Sequence, residues 1–194
     1  PPPPPPHRGT TVGSLVHADA SAEMPVVLRL LGGTVTARSA SGTRTIPADD
    51  LYVGPLETTL RPDEIATEAW FPALPGDAGV AFDEVARRHG DYALCGVAAL
   101  VRTDETGVPT SVRAGYLSVS EVPTVVDLTA AFTSASPGDA ELDAAADLAV
   151  AALDPETDIH ASADYRRHLA AVLTRKVVRR AFEDRTSRRT GGPA

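Results

Sequence analysis

Residues 10–19 read Thr-Thr-Val-Gly-Ser-Leu-Val-His-Ala-Asp and begin four residues after an opening run of prolines at 1–6. Small and hydroxyl-bearing side chains surround one glycine there, so the backbone can turn tightly. Successive N–H groups in such a turn can point the same way and hold a phosphate oxygen. We predict a turn at residues 10–14, followed by a buried strand that begins with Leu15 and Val16. An N-capping loop at residues 10–14 is the structural alternative.

The sequence up to residue 77 predicts a helix, a hairpin and a further strand. The predicted elements are a helix at 23–31, two hairpin strands at 34–37 and 43–46, and a strand at 65–71. In the last of these, Ile65, Thr67, Ala69 and Phe71 share one face. Residues 72–77 hold two prolines and a glycine, and they therefore mark the best domain boundary.

Beyond that boundary, strands are followed by helices. The predicted strands are 79–87, 93–102 and 111–120, and the predicted helices are 125–132, 136–153 and one that begins near 162. Ser136 with Pro137 forms the N-terminal signal of the second helix, and Ser162 caps the third. Strands followed by helices indicate an α+β arrangement.

The last helix has one apolar face in the sequence. Its apolar side chains follow helical spacing and are Tyr165, Leu169, Val172, Leu173 and Val177. The basic side chains of Arg166, Arg167, Arg175, Lys176 and Arg179 mostly fall elsewhere on the wheel, which predicts a solvated basic face. A docking patch for an acidic partner is the alternative. After Asp184 we expect a disordered tail, because its Ser, Arg and Gly residues have nothing to bury.

The composition restricts the class of protein. The 194 residues carry a formal net charge of −8, which argues against nucleic-acid binding because phosphate contacts need a basic surface. The single cysteine, Cys95, lies in an apolar run and is expected to be a buried, unreactive thiol. The five histidines have no partners at metal-ligand spacing, so no metal site is predicted. With no long apolar run and no leader-like segment, we expect a cytoplasmic protein that does not contact a membrane.

Four stretches in fixed order resemble one known family. They are residues 10–25, Thr-Leu-Arg-Pro-Asp-Glu at 59–64, Phe-Asp-Glu-Val-Ala-Arg-Arg-His-Gly-Asp-Tyr-Ala-Leu at 82–94, and Asp-Ile-His-Ala-Ser-Ala-Asp-Tyr-Arg-Arg at 158–167. Together they resemble the FAD-binding medium subunits of molybdenum hydroxylases, such as carbon monoxide dehydrogenase and xanthine dehydrogenase. The cofactor that the resemblance implies is FAD.

The resemblance also implies a fold and a division into domains. It implies an α+β protein: part of an FAD-binding α/β lobe, followed by a three-stranded antiparallel sheet packed on a helical bundle. The expected segments are a proline-rich extended segment at 1–9, the second part of the FAD-binding domain at 10–75, the C-terminal flavoprotein-type domain at 76–184 and a disordered tail at 185–194. Residues 1–9 match nothing in the lobe that precedes this region in the family, and that is the largest departure.

Site residues follow from the resemblance by position. The expected FAD contacts are Thr10, Thr11, Val12, Gly13 and Ser14 at the diphosphate, Glu23, Leu60, and Arg88 and Asp91 in the loop beside the ring. Tyr92 is the aromatic side chain expected near the ring face, and we assign it to the catalytic site. A surface ion pair of Arg87, Arg88 and Asp91 is the structural alternative.

Two positions depart from the family pattern, and both affect the expected cofactor contacts. Val12-Gly13 stands where relatives often have two glycines. Asp83 replaces a lysine that contacts the cofactor in some relatives, and its negative charge would repel a phosphate or a reduced, anionic flavin.

Two functions from different classes remain open on the sequence. The first is an FAD subunit, or part of one, that passes electrons from iron–sulfur clusters to an external acceptor. Its partners would be an iron–sulfur subunit and a molybdenum-cofactor subunit, or a chain that supplies the preceding lobe. The second is a flavin-free relative that keeps the fold as an interaction subunit, or as a non-redox enzyme acting on a small molecule.

Overall fold

The computed structural model describes residues 9–88 and 90–190. The helices are α1 (Thr11–His17), α2 (Glu23–Leu31), α3 (Asp139–Ala151) and α4 (Ala163–Thr190). The strands are β1 (Thr34–Ser39), β2 (Gly42–Pro47), β3 (Tyr52–Gly54), β4 (Glu57–Thr58), β5 (Ile65–Trp70), β6 (Ala78–Ala86), β7 (Ala93–Thr103), β8 (Pro109–Leu117) and β9 (Thr124–Asp127). We call the region from α1 to β5 the first part, and the region from β6 to α4 the second part.

All strand pairs are antiparallel, and the α+β class is confirmed. The first part holds a sheet of order β2-β1-β5 and the β3-β4 pair, and the second part holds a sheet of order β6-β7-β8-β9. The predicted hairpin of β1 and β2 is present, with Val35 opposite Ile46.

The sheet of the second part has four strands in these residues, so the prediction of three strands was wrong. Its fourth strand, β9, occupies part of the segment predicted as a helix at 125–132. Thr124, Val125 and Val126 are β-branched and pair along β8, and a short 3-10 turn at Thr129–Ala131 follows.

Strand β7 is the centre of the second part. Ten of its eleven residues are buried, because helices cover both faces of the sheet. On one face Val97, Ala99 and Val101 pack with residues of α3 and α4. On the other face Ala98 and Leu100 pack with α2.

Helix α4 lies directly against β6. A Cβ atom at Gly79 would overlap the carbonyl oxygen of Ala181, so glycine is required for this close approach. Further along β6, the Asp83 carboxylate accepts from Lys176 Nζ at 2.7 Å and from Arg180 at 3.3 Å. Asp83 is therefore one of the points at which polar contacts attach α4 to the sheet.

Helix α4 differs from its prediction in two ways. Leu169, Leu173 and Val177 are buried as expected, but Tyr165 and Val172 are exposed and Arg166 is buried. Arg166 shares the buried face because it lies three, seven and eleven residues before those three side chains. The helix also continues to Thr190, so the expectation of a disordered tail was wrong for residues 185–190; residues 191–194 lie outside the described residues.

Helix α3 begins two residues later than predicted. Gly138, not Ser136, is the N-cap residue, and its N–H donates to the Glu141 carboxylate at 3.1 Å. The same carboxylate accepts from the Thr133 N–H at 2.8 Å. Glu141 therefore fixes the chain that leads into this helix, and the serine–proline pair does not set the start of the helix.

The prediction of a strand after residue 14 was wrong, because α1 is a helix. Thr10 caps it: its Oγ1 accepts from the Gly13 N–H at 2.9 Å, and the Ser14 N–H donates to the Thr10 carbonyl. Leu15 is fully buried on this helix. The N-capping alternative therefore describes the local backbone.

The predicted apolar face of β5 was right only at the C-terminal end of the segment. Ala69 and Phe71 pack on the core of the first part as predicted. Ile65 and Thr67 are exposed, and Ala66 packs on that core instead. The register against β1 shifts between Thr36 and Ala37, and this irregularity breaks the alternation that the prediction assumed.

Candidate functional site

A cleft of about 500 Å³ lies where the two parts meet. The first part contributes the loop after α1, from Asp19 to Ser21, and Pro55. The second part contributes the connection between β6 and β7, the residues that follow β8, and the loop between α3 and α4. Its volume lies within the range of small-molecule sites.

Two of the predicted site residues line this cleft. Asp91 and Tyr92 lie in the connection between β6 and β7, and Tyr92 is 73% exposed. A large aromatic ring that is mostly in contact with water is available for stacking on a ligand. The Tyr92 N–H donates to the Asp91 carboxylate at 3.1 Å, and the Asp91 N–H donates to the carbonyl of Arg88, so a local turn presents the ring.

The other predicted site residues lie outside the cleft lining. Leu60 packs against the core of the first part, Glu23 is exposed in the first turn of α2, and Arg88 is exposed beside the cleft. Thr10 to Ser14 form the exposed start of α1. The structure therefore brings together the ring-side residues and separates them from the segment predicted to hold the diphosphate.

The start of α1 has features of an anion cradle. Its first-turn N–H groups at Thr11 and Val12 have no acceptor within the helix. A Cβ atom at Gly13 would lie 2.9 Å from Thr10 Oγ1, so a side chain at that position would displace the capping hydroxyl. Val12 presents a bulkier side chain at the same turn, and this marks the departure from the two-glycine pattern.

The cleft itself is acidic. Its lining includes the six carboxyl-bearing residues Asp19, Asp91, Glu121, Asp154, Glu156 and Asp158. The arginines on the lining are Arg87 and Arg166. An acidic wall opposes a phosphate group, so the cleft suits an uncharged, aromatic portion of a ligand.

The floor of the cleft is built around Arg166, for which the prediction of a solvated face was wrong. Arg166 is 6% exposed, and its guanidinium donates through Nη1 to the carbonyl oxygens of Leu94 at 2.7 Å and Ser118 at 2.8 Å. Its Nη2 donates to Asp158 Oδ2 at 2.8 Å. The signal was present in the sequence, because Arg166 falls on the apolar stripe of α4 and Asp158 lies in the same motif.

Asp158 is held by three groups at once. Burial would raise the pKa of its carboxyl, but the N–H donors of Ala161 and His160 and the Arg166 guanidinium outweigh burial and lower that pKa to about 2. The N–H groups donate to Oδ1, and Arg166 donates to Oδ2. The carboxylate is therefore ionised at any physiological pH.

Ser118 connects the floor to the first part. Its N–H donates to the carbonyl of Ala20 at 2.8 Å, while its own carbonyl accepts from Arg166. Its φ angle of +62° is unusual for a residue with a side chain. The backbone at Ser118 therefore joins both walls of the cleft to one buried cation.

A further carboxyl lies on β6, on the side of the sheet that faces α2. The pKa of Glu84 is raised by burial first, and then by the negative charges of Glu23 and Asp83. Its Oε2 atom is buried without a hydrogen-bond partner among the described residues. Glu23, a predicted cofactor contact, therefore lies in the electrostatic field of a second acid.

Family comparisons identify what this arrangement belongs to. Residues 80–181 match the pattern of the CO dehydrogenase flavoprotein C-terminal domain, and residues 7–74 match that of the FAD binding domain in molybdopterin dehydrogenase. The chain belongs to the FAD-binding medium-subunit family of molybdenum hydroxylases. We refer to this as the medium-subunit family. The predicted cofactor, FAD, is confirmed as the cofactor of the family.

Curated relatives of the medium-subunit family agree with this assignment. The medium subunit of nicotine 6-hydroxylase from Paenarthrobacter nicotinovorans is 38% identical over 89% of this chain and 60% of its own length. The alpha subunit of the 6-hydroxypseudooxynicotine dehydrogenase complex, from the same organism, is 38% identical over 91% of this chain and 60% of its own. The chain thus spans about 60% of the length of these relatives, which are named as subunits of larger enzymes.

Solved structures of the family share the fold. Carbon monoxide dehydrogenase from Hydrogenophaga pseudoflava superposes with a TM-score of 0.83 at 26% identity, over 91% of this chain and 62% of that one. Quinoline 2-oxidoreductase from Pseudomonas putida 86 gives a TM-score of 0.81 at 35% identity, over 91% and 61%.

Ion pairs with α4 bear on the departure from the family pattern at Asp83. Its pKa is lowered by the hydrogen bond from Lys176 first, and Arg180 adds to the effect. Two cations of α4 therefore neutralise the charge that was expected to repel a flavin. Cys95 is fully buried, as predicted, and burial raises the pKa of its thiol to about 12. The low reactivity of this thiol stays a prediction.

Residues 9–88 and 90–190 contain no group of three or more His, Cys, Asp or Glu placed to hold a metal ion. Across the same residues, no helix combines the length and hydrophobicity that a membrane span requires.

Proposed function

We propose that this chain is the FAD-binding part of the medium subunit of a molybdenum-hydroxylase-type oxidoreductase, in which electrons pass from iron–sulfur clusters to an external acceptor. The observation that carries the proposal is an exposed tyrosine, Tyr92, at a cleft between the two segments that match the family's FAD-binding and flavoprotein domains. FAD, when bound, supplies the redox chemistry.

The chain's own residues would divide the cofactor between two regions. The start of α1, Thr10 to Ser14, would hold the diphosphate through N–H groups and hydroxyls, away from the acidic cleft. Tyr92 would stack on the flavin ring, with Asp91 and Arg88 fixing the turn that presents it. Glu23 and Leu60 would contact the cofactor from the first part.

The same proposal keeps the domain division of the sequence analysis. Residues 10–75 would form the second part of the FAD-binding domain, and residues 76–184 the C-terminal domain. The boundary is supported by the segment between β5 and β6, which contains neither helix nor strand.

The partners that we propose are an iron–sulfur subunit and a molybdenum-cofactor subunit. The relatives' names support a multi-subunit enzyme, and the solved carbon monoxide dehydrogenase is described in terms of its molybdenum cofactor. A chain that supplies the preceding lobe is the other partner to test. A cytoplasmic location stays a prediction.

One observation favours the second function, a flavin-free relative. The acidic lining of the cleft is less suited to a dinucleotide than to an uncharged or cationic small molecule. The acid groups lie at the ring-side cleft, however, and the start of α1 is free of them, so the flavin proposal is the stronger of the two.

The deciding experiment is a titration of FAD into the native subunit, followed by visible absorption. We expect binding with a change in the flavin bands, and about tenfold weaker binding after Tyr92→Ala because a stacking contact is lost. Tyr165→Ala is the matched control, since Tyr165 is an exposed tyrosine on α4 that does not line the cleft. If the bands of added FAD do not change in the presence of the native subunit, the flavin proposal is refuted.

A further inference from the structure

Three separate chain segments converge on the guanidinium of Arg166. Leu94 lies two residues after Tyr92, Ser118 directly follows β8, and Asp158 lies in the loop before α4. All three acceptors are within 2.8 Å of an Arg166 nitrogen. The fork of an arginine can satisfy several acceptors in fixed directions, which a single apolar side chain cannot do.

The contacts of Arg166 reach both walls of the cleft. On the wall of the second part, the bond to Leu94 fixes the chain just beyond Tyr92. Toward the first part, Ser118 links Arg166 to the loop that also lines the cleft, because the Ser118 N–H donates to the carbonyl of Ala20 in that loop. The strained backbone of Ser118 is held in place by these two bonds.

Burying a cation in a core costs desolvation free energy. Ion pairs at buried sites are often no more stabilising than apolar side chains of similar volume. Leu169 and Ala170, on the next turn of the same helix face, are apolar. The placement of a charged fork at the cleft floor is therefore better explained by the geometry that it imposes on the walls.

We propose that Arg166 is a positioning residue for the flavin ring, holding the Tyr92 wall and the Asp19–Ser21 wall at a fixed separation through Leu94, Ser118 and Asp158. This inference rests on the proposed function, namely that the cleft receives the ring of FAD. Arg166 itself acts through the backbone of its neighbours.

The test uses variants of graded severity. Asp158→Asn is the most selective, because Oδ1 can still accept from His160 and Ala161 while the new amide nitrogen opposes Arg166. Arg166→Lys keeps the charge and removes the fork, and Arg166→Met removes both. Arg167→Met is the matched control, since Arg167 is the next residue on the helix and its side chain makes surface ion pairs with Asp154 and Asp164.

Two measurements are made on each variant. Hydrogen exchange of the native chain without FAD follows the amide of Ser118, and we expect it to exchange about tenfold faster in Asp158→Asn and faster still in Arg166→Met. In the native flavoprotein, the flavin bands and the midpoint potential should shift in the same order. Arg167→Met should match wild type in both measurements.

The outcomes separate this inference from the proposed function. If wild type binds FAD while Asp158→Asn and Arg166→Lys lower only the melting temperature, with exchange, flavin bands and potential unchanged, Arg166 is a structural residue and the inference fails alone. If wild type binds no FAD, the proposed function and this inference fail together.

Discussion

The sheet of the second part is covered on both faces, whereas the sheet of the first part leaves large apolar side chains in water. Strand β7 lies between α2 on one side and α3 with α4 on the other, and it is buried along almost its whole length. In the first part, Ile65 and Trp70 on β5 are exposed. The difference teaches that two helical layers, more than strand propensity, decide how much of a sheet is excluded from water here.

The largest expected effect breaks the core of the second part. Leu173→Ala should lower the free energy of unfolding by about 3 kcal/mol, because it leaves a cavity between α4 and the sheet. Denaturant unfolding followed by circular dichroism measures this loss. A change below about 1 kcal/mol would show that the two-sided covering is looser than the structure indicates.

A smaller effect sharpens the comparison through pH. In the first part, the hydrogen bond from Arg44 first, and then the N–H of Arg61, lower the pKa of Glu64 from its ordinary value near 4.5 to about 2. The Arg44 guanidinium contacts both carboxylate oxygens, at 2.6 and 2.8 Å. Because the folded pKa lies below the unfolded one, this stabilisation is complete above about pH 4.5 and is lost as the pH falls toward 2.

Fluorescence can assign that loss to the first part. Trp70 is the single tryptophan of the chain and lies in β5. Glu64→Gln should make the acid transition of Trp70 fluorescence less steep. Glu141→Gln is the counterpart in the second part. The pKa of Glu141 is also lowered to about 2, and the hydrogen bond from the Thr133 N–H is the largest cause. Equal effects of both variants on Trp70 would contradict the assignment.

The smallest effect concerns the exposed edge of the first part. Ile65 is 72% exposed, so Ile65→Thr should change the free energy of unfolding by no more than about 0.5 kcal/mol. The same denaturant experiment measures it. A loss of several times that size would mean that this side chain is covered in solution, and the contrast between the two sheets would fail.

The sequence predicted those elements whose pattern is long or punctuated. Helix α2, the β1–β2 hairpin and the strands β6 to β8 were found close to their predicted limits, because periodicity and glycine–proline signals agree there. The start of the chain could not be read this way. Helix α1 has seven residues, too few to show a helical period, and Leu15-Val16 taken as a pair favours a strand.

Residues of the cleft lining were predictable only where one segment carries them. Asp91 and Tyr92 are consecutive, and the resemblance points to both. The role of Arg166 in the cleft was not predicted, because charged side chains of this helix were assigned to its solvated face. Its acceptors at Leu94 and Ser118 are also 72 and 48 residues away in sequence. Contacts to backbone carbonyls leave no trace in side-chain chemistry, so only the folded structure shows them.

Helix α2 carries a last consequence, because its side chains enter two separate cores. Leu28 packs with the first part, while Val26 and Leu30 pack beneath the sheet of the second part. A protease that cuts the exposed connection at residues 72–77 would therefore yield two fragments that stay together. The point at which the polypeptide can be severed is not a seam along which the molecule comes apart.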